Sequence, residues 1–341
     1  MKAWFPTIRA SSGADVYTTR LADALRKRNI GAEIRWYSRW FEFAPFLLRR
    51  ACAPSDADVI LANSWNGYAF KRPDIPLVIV EHHCVFDPLY HSYRSFPQYF
   101  YHRMLIKSYE QASFAKADAV VAVSEFTASG LRAFLGYKQV RVIHNWVDVE
   151  KFKPEPSIGT ARRRRPFRLL YVGNFSRRKG ADLLVPIMEA LGEDFELFYT
   201  SGLRSSMRAG SLSNMIPLGK LIEEKLIEIY QDCDALLFPS RFEGFGYAAL
   251  EAMACGKPVI ASNSSSLPEV VENGVCGILC EPDNVNAFVE ACRRLAEDPA
   301  LCRRMGEAGR ERAVRLFSED AIVPKYVQLF EELSGKKAYK A

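Results

Sequence analysis

Phe238-Pro239-Ser240-Arg241-Phe242-Glu243-Gly244-Phe245-Gly246-Tyr247-Ala248-Ala249-Leu250-Glu251-Ala252-Met253-Ala254 is the stretch that decides the fold. The apolar run 235–238 reads as a buried strand that enters Pro239-Ser240. A loop with two glycines comes next, and an alanine-rich helix opens near Tyr247. In an open parallel α/β sheet, ligands bind at the carboxyl ends of the strands, where this loop lies. Gly244 and Gly246 let the backbone approach a ligand closely. The unpaired amides of residues 247–250 suit a phosphate. Glu243 lies in the loop and Glu251 about one turn into the helix, so each can accept hydrogen bonds from paired hydroxyls of a sugar or ribose. Gly244-x-Gly246-x-x-Ala249 also fits the dinucleotide fingerprint, but that motif opens the first strand of its domain, and here at least three strands precede it. A nicotinamide or flavin is therefore not expected.

The same alternation extends outward. Residues 167–172, 196–199 and 258–261 read as strands, and 181–191, 221–230, 286–296, 299–316 and 320–333 as helices. An earlier copy has apolar, β-branched runs at 2–7, 59–62, 77–80, 119–123 and 140–143, with helices at 16–27, 100–115 and 125–134. Continuous apolar runs of this length mark parallel strands buried on both faces. Between the copies, residues 151–165 carry Pro154, Pro156, Gly159 and four consecutive arginines from Arg162, which read as a solvated linker. The fold class is α/β, with two Rossmann-like domains facing each other across a cleft.

The chain's 341 residues and 38.6 kDa fit two domains. No apolar run approaches the ~18 residues of a membrane span, and Met1-Lys2-Ala3-Trp4-Phe5-Pro6 lacks the apolar core of a signal peptide. A cytoplasmic protein is expected. The eight cysteines form no C-x-x-C pair and read as reduced, mostly buried thiols. Residues 1–163 hold 23 Lys/Arg against 15 Asp/Glu, while the rest hold 23 against 25. The basic excess of the first half suits phospholipid headgroups, an anionic acceptor or nucleic acid, or is an ordinary basic surface. Segments 36–50 and 90–107 are rich in aromatics and bases, a composition that fits a membrane interface, a lipid-linked acceptor, or a core helix with a polar rim. No nucleic-acid-binding module motif is present, and nucleic acid is not expected as a partner.

With its flanks, Glu243-x7-Glu251 resembles the E-x7-E motif of retaining glycosyltransferase family 4, the glycosyl transferases group 1 of GT-B fold. Ala235-Leu236-Leu237-Phe238-Pro239-Ser240 is similar to that family's preceding strand, and Gly256-Lys257-Pro258-Val259-Ile260-Ala261 to its next. Leu267-Pro268-Glu269-Val270-Val271 and Gly277-Ile278-Leu279 resemble the family's succeeding segments. The likeness covers nearly the whole chain and is strongest after residue 166. It implies a hexosyltransferase with the acceptor on domain 1–160, the donor on domain 161–319, and a C-terminal segment 320–341 whose helix packs back on the first domain. Glu251 then binds the donor ribose. Glu243 and residues Gly244, Phe245 and Gly246 hold the sugar, with Tyr247, Ala249 and Leu250 completing the donor site.

Tyr171-Val172-Gly173-Asn174-Phe175-Ser176-Arg177-Arg178-Lys179-Gly180 is a strand, a basic loop and a helix start, and cations beside a helix N-terminus suit a diphosphate. It resembles the family's diphosphate clamp, with Lys179 in place. The family arginine after the first glycine is Asn174 here, which leaves Arg177 or Arg178 for that task. Residues 214–230, including Leu221, resemble the segment holding the nucleobase, and Thr200-Ser201-Gly202 ends the preceding strand. Ser11-Ser12-Gly13-Ala14-Asp15 resembles the glycine-rich loop near the donor phosphates and acceptor, with Gly13 on the donor side and Asp15 on the acceptor side. Val80-Glu81-His82-His83 carries polar residues at a strand end. The family places a histidine beside the transferred sugar, which makes His82 the catalytic candidate and His83 its alternative, with Glu81 as an acceptor-binding carboxylate. Val123-Ser124-Glu125 and His144-Asn145-Trp146-Val147-Asp148 resemble further signposts, read as structural. Asp232-x-Asp234 occupies the slot of a structural aspartate rather than a metal motif.

The sequence therefore points to a metal-independent retaining transfer from a UDP- or GDP-sugar to a saccharide or lipid-linked acceptor in bacterial envelope polysaccharide or lipopolysaccharide synthesis. Lys179 and Arg178 stabilise the leaving diphosphate, and no cofactor or metal is expected. Peripheral contact with the inner face of an anionic membrane is expected through the first domain. The rival readings are a silent GT-B sugar-nucleotide or membrane-binding module, a phosphorylase and an epimerase.

Overall fold

The computed structural model describes residues 1–10, 12–155, 165–200 and 212–335, which form two compact units. Ser11, three of the linker arginines (162–164) and Ser201-Gly202 lie outside the described residues.

The first unit contains β1 (Lys2–Ile8), α1 (Gly13–Lys27), β2 (Gly31–Tyr37), β3 (Val59–Asn63), β4 (Leu77–Glu81), α2 (Pro88–His91), α3 (Phe96–Tyr101), α4 (Lys107–Lys116), β5 (Ala119–Ala122), α5 (Glu125–Phe134) and β6 (Val140–Val142). Its strands form one parallel sheet in the order β2-β1-β3-β4-β5-β6. β4 and β5 are buried along their whole length, which explains the unbroken Val, Ile, Leu and Ala runs at 77–80 and 119–122; Glu81, which ends β4, is the buried exception. β2 is the half-exposed edge. Ser124 caps α5, its hydroxyl accepting from Thr127 N at 3.0 Å, so this signpost is a helix start.

The second unit contains β7 (Phe167–Tyr171), α6 (Ala181–Leu191), β8 (Phe195–Thr200), β9 (Met215–Gly219), α7 (Glu223–Asp232), β10 (Ala235–Phe238), α8 (Tyr247–Ala254), β11 (Val259–Ser262), α9 (Leu267–Val270), β12 (Gly277–Cys280), α10 (Val285–Glu297) and α11 (Pro299–Phe317). Its sheet is also parallel, in the order β12-β11-β10-β7-β8-β9. The chain leaves β7 toward one edge and returns at β10 toward the other, which makes the β7/β10 boundary a topological switch point.

The first unit runs to Asn145, where the sequence suggests 160. Trp146, Val147 and Phe152 are buried in the second unit, and Arg310 Nη1 donates to the carbonyls of Val149 and Phe152 at 2.9 and 2.8 Å. The last helix, α12 (Glu319–Ser334), groups with the first unit. It buries Ile322, Val323, Tyr326, Leu329 and Phe330 there. At ~1.5–3 kcal/mol each, these contribute on the order of 10 kcal/mol as an upper bound. The ion pairs of Arg28 with half-buried Glu319 and exposed Asp320, at 2.7 and 2.5 Å, add little beside that.

Three sequence expectations change. Residues 100–115 are not one helix: a single π-helical segment, His102–Ile106, separates α3 from α4. Segment 36–50 is no core helix, because Trp36 and Tyr37 end β2 and two 3-10 turns come after them, Arg39–Glu42 and Pro45–Arg50. The helix expected from Leu221 begins at Glu223.

Candidate functional site

In the second unit the loops after β7 and β10 emerge side by side, because those strands are hydrogen-bonded neighbours. The β7 loop brings Lys179 and the β10 loop brings Glu243, and Lys179 Nζ lies 2.5 Å from Glu243 Oε1. Ser240 Oγ donates to the same oxygen at 2.6 Å. Both charged side chains are nearly closed off from solvent, at 16% and 9% exposure. Burial alone would raise the Glu243 carboxyl, but Lys179 and Arg178 beside it outweigh burial and hold it below the usual carboxylate range. Burial lowers the Lys179 amine, and the like charge of Arg178 adds to this against the pull of Glu243.

The geometry separates the two arginines. Arg178 is half-buried, donates through Nη1 to Phe242 O at 2.6 Å, and leaves its charge without a carboxylate in the hydrogen bonds described. Arg177 is 74% exposed and its Nε lies 4.0 Å from Asp182. Arg178 is therefore the arginine that joins the Lys179–Glu243 pair.

The loops are braced independently of that pair. Arg241, 7% exposed, donates from Nη1 and Nη2 to the two oxygens of Asp182 at 2.6 and 2.9 Å, and from Nε to Asp283 at 2.5 Å. It also donates to Arg177 O. Gly180 has φ +70°, and a Cβ there would lie 2.0 Å from Pro239 O, so only glycine allows the loops this close. Ser265 Oγ accepts from Glu243 N at 2.9 Å, and Ser266 Oγ donates to Glu243 O at 3.1 Å.

Gly246 caps α8 with φ +107°, and its first amides face the loop side. Ala249 and Leu250 are fully buried, and Phe245 is a core side chain packed on Phe317 at 5.7 Å, so the structure presents none of these three side chains at the surface. Gly244 and Tyr247 are half-buried. Glu251 is 7% exposed and its Oε2 accepts from the Tyr230 hydroxyl at 3.2 Å. In the β7 loop, Gly173 N donates to Thr200 Oγ1 at 3.1 Å, and Asn174 O accepts from the Tyr171 hydroxyl at 3.0 Å. Leu221 is half-buried just before α7. Asp234 accepts from Arg165 at 2.9 and 3.2 Å and from Arg168 N at 2.9 Å, while Asp232 pairs with Arg168 at 2.5 Å. Both aspartates are structural.

In the first unit, polar residues gather at the carboxyl ends of β3 and β4. His82 Nε2 lies 3.2 Å from Asn63 Oδ1, and the ring packs edge-on against Tyr17 at 4.9 Å. Burial pulls His82 down to about 4, which leaves it neutral at pH 7. Glu81 is 2% exposed, and burial pushes it up to about 7. Its Oε1 accepts from His83 N at 3.2 Å. Glu110 of α4 is fully buried, accepts from Trp65 Nε1 at 2.9 Å, and is raised by burial and by Glu81. Among the described residues, Oε2 of each carboxyl has no partner at hydrogen-bond geometry, with the Ser64 hydroxyl beside both groups. Both Asp15 oxygens accept from Ala10 N, at 3.1 and 3.2 Å, closing the β1–α1 loop below Gly13. His83 is half-buried near Tyr90.

Sequence reasoning assigned no role to Ser240, Arg241, Asp182, Tyr230, Asn63 or Glu110. Ser240 and Arg241 stand within the deciding stretch, so their position was the available signal. The others come from elements whose adjacency only the fold reveals. Among the described residues, no group of three or more His, Cys, Asp or Glu is placed to hold a metal.

The solved structures that resemble the chain include sucrose-phosphate synthase from Thermosynechococcus elongatus, with TM-score 0.82 and 22% identity over 98% of this chain and 100% of that one. Anabaena HepE in complex with UDP matches at TM-score 0.74 and 19% identity, over 97% of this chain and 100% of that one. These likenesses show the fold, that of the GT-B class. Among curated proteins, an uncharacterized glycosyltransferase of Methanocaldococcus jannaschii is 31% identical over 222 residues, which are 64% of this chain and 60% of that protein. The chain spans between 29% and 60% of the length of the first curated relatives it matches. Residues 30–151 match the family described as Glycosyltransferase Family 4, and residues 157–312 match Glycosyl transferases group 1. With one unit matched by each of these families, the chain belongs to the glycosyltransferases of the family 4 and group 1 type.

Proposed function

We propose that the chain is a retaining, metal-independent hexosyltransferase that moves a sugar from a UDP- or GDP-sugar to a hydroxyl of a saccharide or lipid-linked acceptor, in cell-envelope polysaccharide or lipopolysaccharide synthesis. The observation that carries this reading is the pair Lys179–Glu243 with Arg178, set on the two loops of the switch point in the second sheet. In the unliganded chain Lys179 and Glu243 neutralise each other. An arriving diphosphate replaces Glu243 as the counter-ion of Lys179, and Arg178 supplies a second charge. Glu243 then accepts from the sugar hydroxyls, beside the amides at the start of α8. Glu251, oriented by Tyr230, accepts from the ribose. Two cations belonging to the chain stabilise the growing charge of the leaving diphosphate, the work a metal does elsewhere. Attack comes on the face the diphosphate leaves, and a departing phosphate oxygen takes the acceptor proton. Within the first unit, His82, neutral at pH 7, and Glu81 are the polar groups assigned to the acceptor.

HepE has been solved with UDP-glucose, which supports including a UDP-hexose among the donors tested. The basic first half and the exposed Trp40, Phe43 and Leu47 support peripheral contact with an anionic membrane. The experiment is a thermal-shift panel of UDP, GDP, ADP and CMP and their sugar conjugates, with and without EDTA. A nucleotide at 100 times its Kd stabilises by ~2.7 kcal/mol. One diphosphate family is expected to raise Tm by about 5–10 °C, unchanged by EDTA. A flat panel, or a shift that EDTA abolishes, overturns the proposal.

A further inference from the structure

The first unit holds a cavity of about 220 Å³, lined by Phe86, Arg94, Tyr99, Arg103, Lys107 and Phe134 among others. No acidic side chain lines it. Arg94 stacks on the Tyr99 ring at 4.5 Å and donates weakly to Val85 O at 3.5 Å, and Arg103 Nη1 donates to the Tyr99 hydroxyl at 3.4 Å. Among the described residues, the Lys107 side chain makes no hydrogen bond or ion pair, and none of the three cations meets a carboxylate. Two guanidinium groups and an ammonium thus converge with most of their donors unused. A surface that only needed solubility would intersperse acids among them.

The arrangement selects a small dianion. The cavity is smaller than the ~300–1,000 Å³ typical of pockets for whole organic ligands. A phosphomonoester carries about −1.5 to −2 charges at pH 7 and three acceptor oxygens, which matches three unpaired cations. Beside it runs an exposed apolar row spaced by four residues: Phe96, Phe100 and Met104, at 75%, 48% and 66% exposure. The rows meet where Tyr99 of the cavity touches Phe100 at 5.7 Å, and Phe96 packs edge-on to Phe100 at 4.8 Å. The π-helical segment His102–Ile106 carries Arg103 into the cavity lining and Met104 into the apolar row.

We propose that this cavity is a binding site for the terminal phosphate or diphosphate of an amphiphile, with Arg94, Arg103 and Lys107 holding the phosphoryl group and Phe96, Phe100 and Met104 holding the start of its hydrocarbon chain. The site stands on its own residues and does not depend on the transfer reaction. The same chemistry comes from a lipid headgroup in a bilayer or from a single phosphorylated chain in solution, and two arms separate them.

In the first arm, the full chain is sedimented with phosphatidylcholine vesicles containing phosphatidic acid or phosphatidylglycerol at equal mole fraction. In the second, hexyl phosphate is titrated in a thermal-shift assay. Wild type is expected to prefer phosphatidic acid by about tenfold. Arg103→Ala/Lys107→Ala is expected to lose that preference, with nucleotide-induced stabilisation retained as the folding control. Phe96→Ser/Phe100→Ser weakens vesicle binding while keeping the preference for the monoester. A hexyl phosphate shift that vanishes in Arg103→Ala/Lys107→Ala assigns the site to a single chain; a preference seen on vesicles alone assigns it to the bilayer. Equal binding of the two anionic lipids, a preference that survives the double substitution, or no response to any phosphate probe overturns the proposal.

Discussion

Replacing Lys179 by methionine separates what the buried ion pair does for folding from what it does for the proposed reaction. Lys179 and Glu243 are 16% and 9% exposed, so little solvent screening applies. Removing one partner of a buried pair costs ~3–5 kcal/mol, because the other charge stays buried and uncompensated. Arg178 and the Ser240 hydroxyl remain beside Glu243, which places the cost at the lower end, about 3 kcal/mol. For a unit of this size that is on the order of 10 °C in Tm. The double variant Lys179→Met/Glu243→Gln leaves no unpaired carboxylate buried there, and its amide oxygen still accepts from Ser240, so most of the loss should return. Turnover should not return: both variants lack the cation that stabilises the leaving diphosphate, at a cost of ~10²-fold or more. The pH dependence gives a second check. In wild type the Glu243 carboxyl is held low, so its stabilisation is present above the free carboxyl value and is lost as pH falls. In Lys179→Met burial dominates, the carboxyl rises, and stability recovers as pH falls. The two melting curves should therefore converge toward pH 4. Differential scanning calorimetry and a nucleotide-release assay measure both effects. If Glu243→Gln restores turnover to Lys179→Met, Lys179 is only a structural counter-ion and the reasoning fails.

Glu251→Ala should weaken nucleoside diphosphate binding by about tenfold with little change for free diphosphate, measured by calorimetry; equal loss for both would remove the ribose role. Gly180→Ala should cost about 3 kcal/mol or more, since its new methyl would meet Pro239 O and C at 2.0 and 2.7 Å in a left-handed backbone; urea unfolding that leaves the second unit unchanged would contradict the close approach. The first unit should lose stability as pH rises from about 4.5 to 7, because folded Glu81, raised to about 7, binds its proton there and the unfolded chain does not. That amounts to about 3 kcal/mol. Glu110→Gln, which keeps the acceptor for Trp65 and removes a second carboxyl raised by burial, should flatten the slope, and a pH profile identical to wild type would contradict the raised Glu110 carboxyl.

The doubly wound sheets were legible because buried parallel strands carry uninterrupted apolar runs, as β3, β4, β10 and β11 do. β2 escaped because it is an edge strand in which Glu33 and Arg35 alternate with half-buried residues. β9 is likewise an edge, and Pro217 and Gly219 within it read as loop. The division of 96–116 into α3, a π segment and α4 leaves no mark in composition, since no proline or glycine stands in His102–Ile106. That break is a shift of backbone hydrogen-bond register, which side-chain patterning does not encode. Glu110 was hidden for a related reason: a glutamate among Lys107, Ser108 and Gln111 looks solvated, yet Trp65, from a loop 45 residues away, covers it.

The residues proposed to hold the donor were legible singly and are brought together only by topology. Lys179 lies after β7 and Glu243 after β10, with two strands between them in the chain, and they meet because those strands are adjacent at the switch point. The bonds that fix the two loops are separate from the pair. Arg241 ties Asp182, Asp283 and Arg177 O, Arg178 ties Phe242 O, and Gly180 lets the backbones touch. A buried ion pair is weak evidence for stability, and here the scaffold does not need it. On the proposed reading the pair is thus free to exchange: a diphosphate takes Lys179 from Glu243 without loosening either loop, and a sugar hydroxyl replaces the amine at the carboxylate so released. In the reaction proposed, preorganisation of this kind would keep a desolvated cation aimed at the place where charge develops, at no cost in rearrangement when it does.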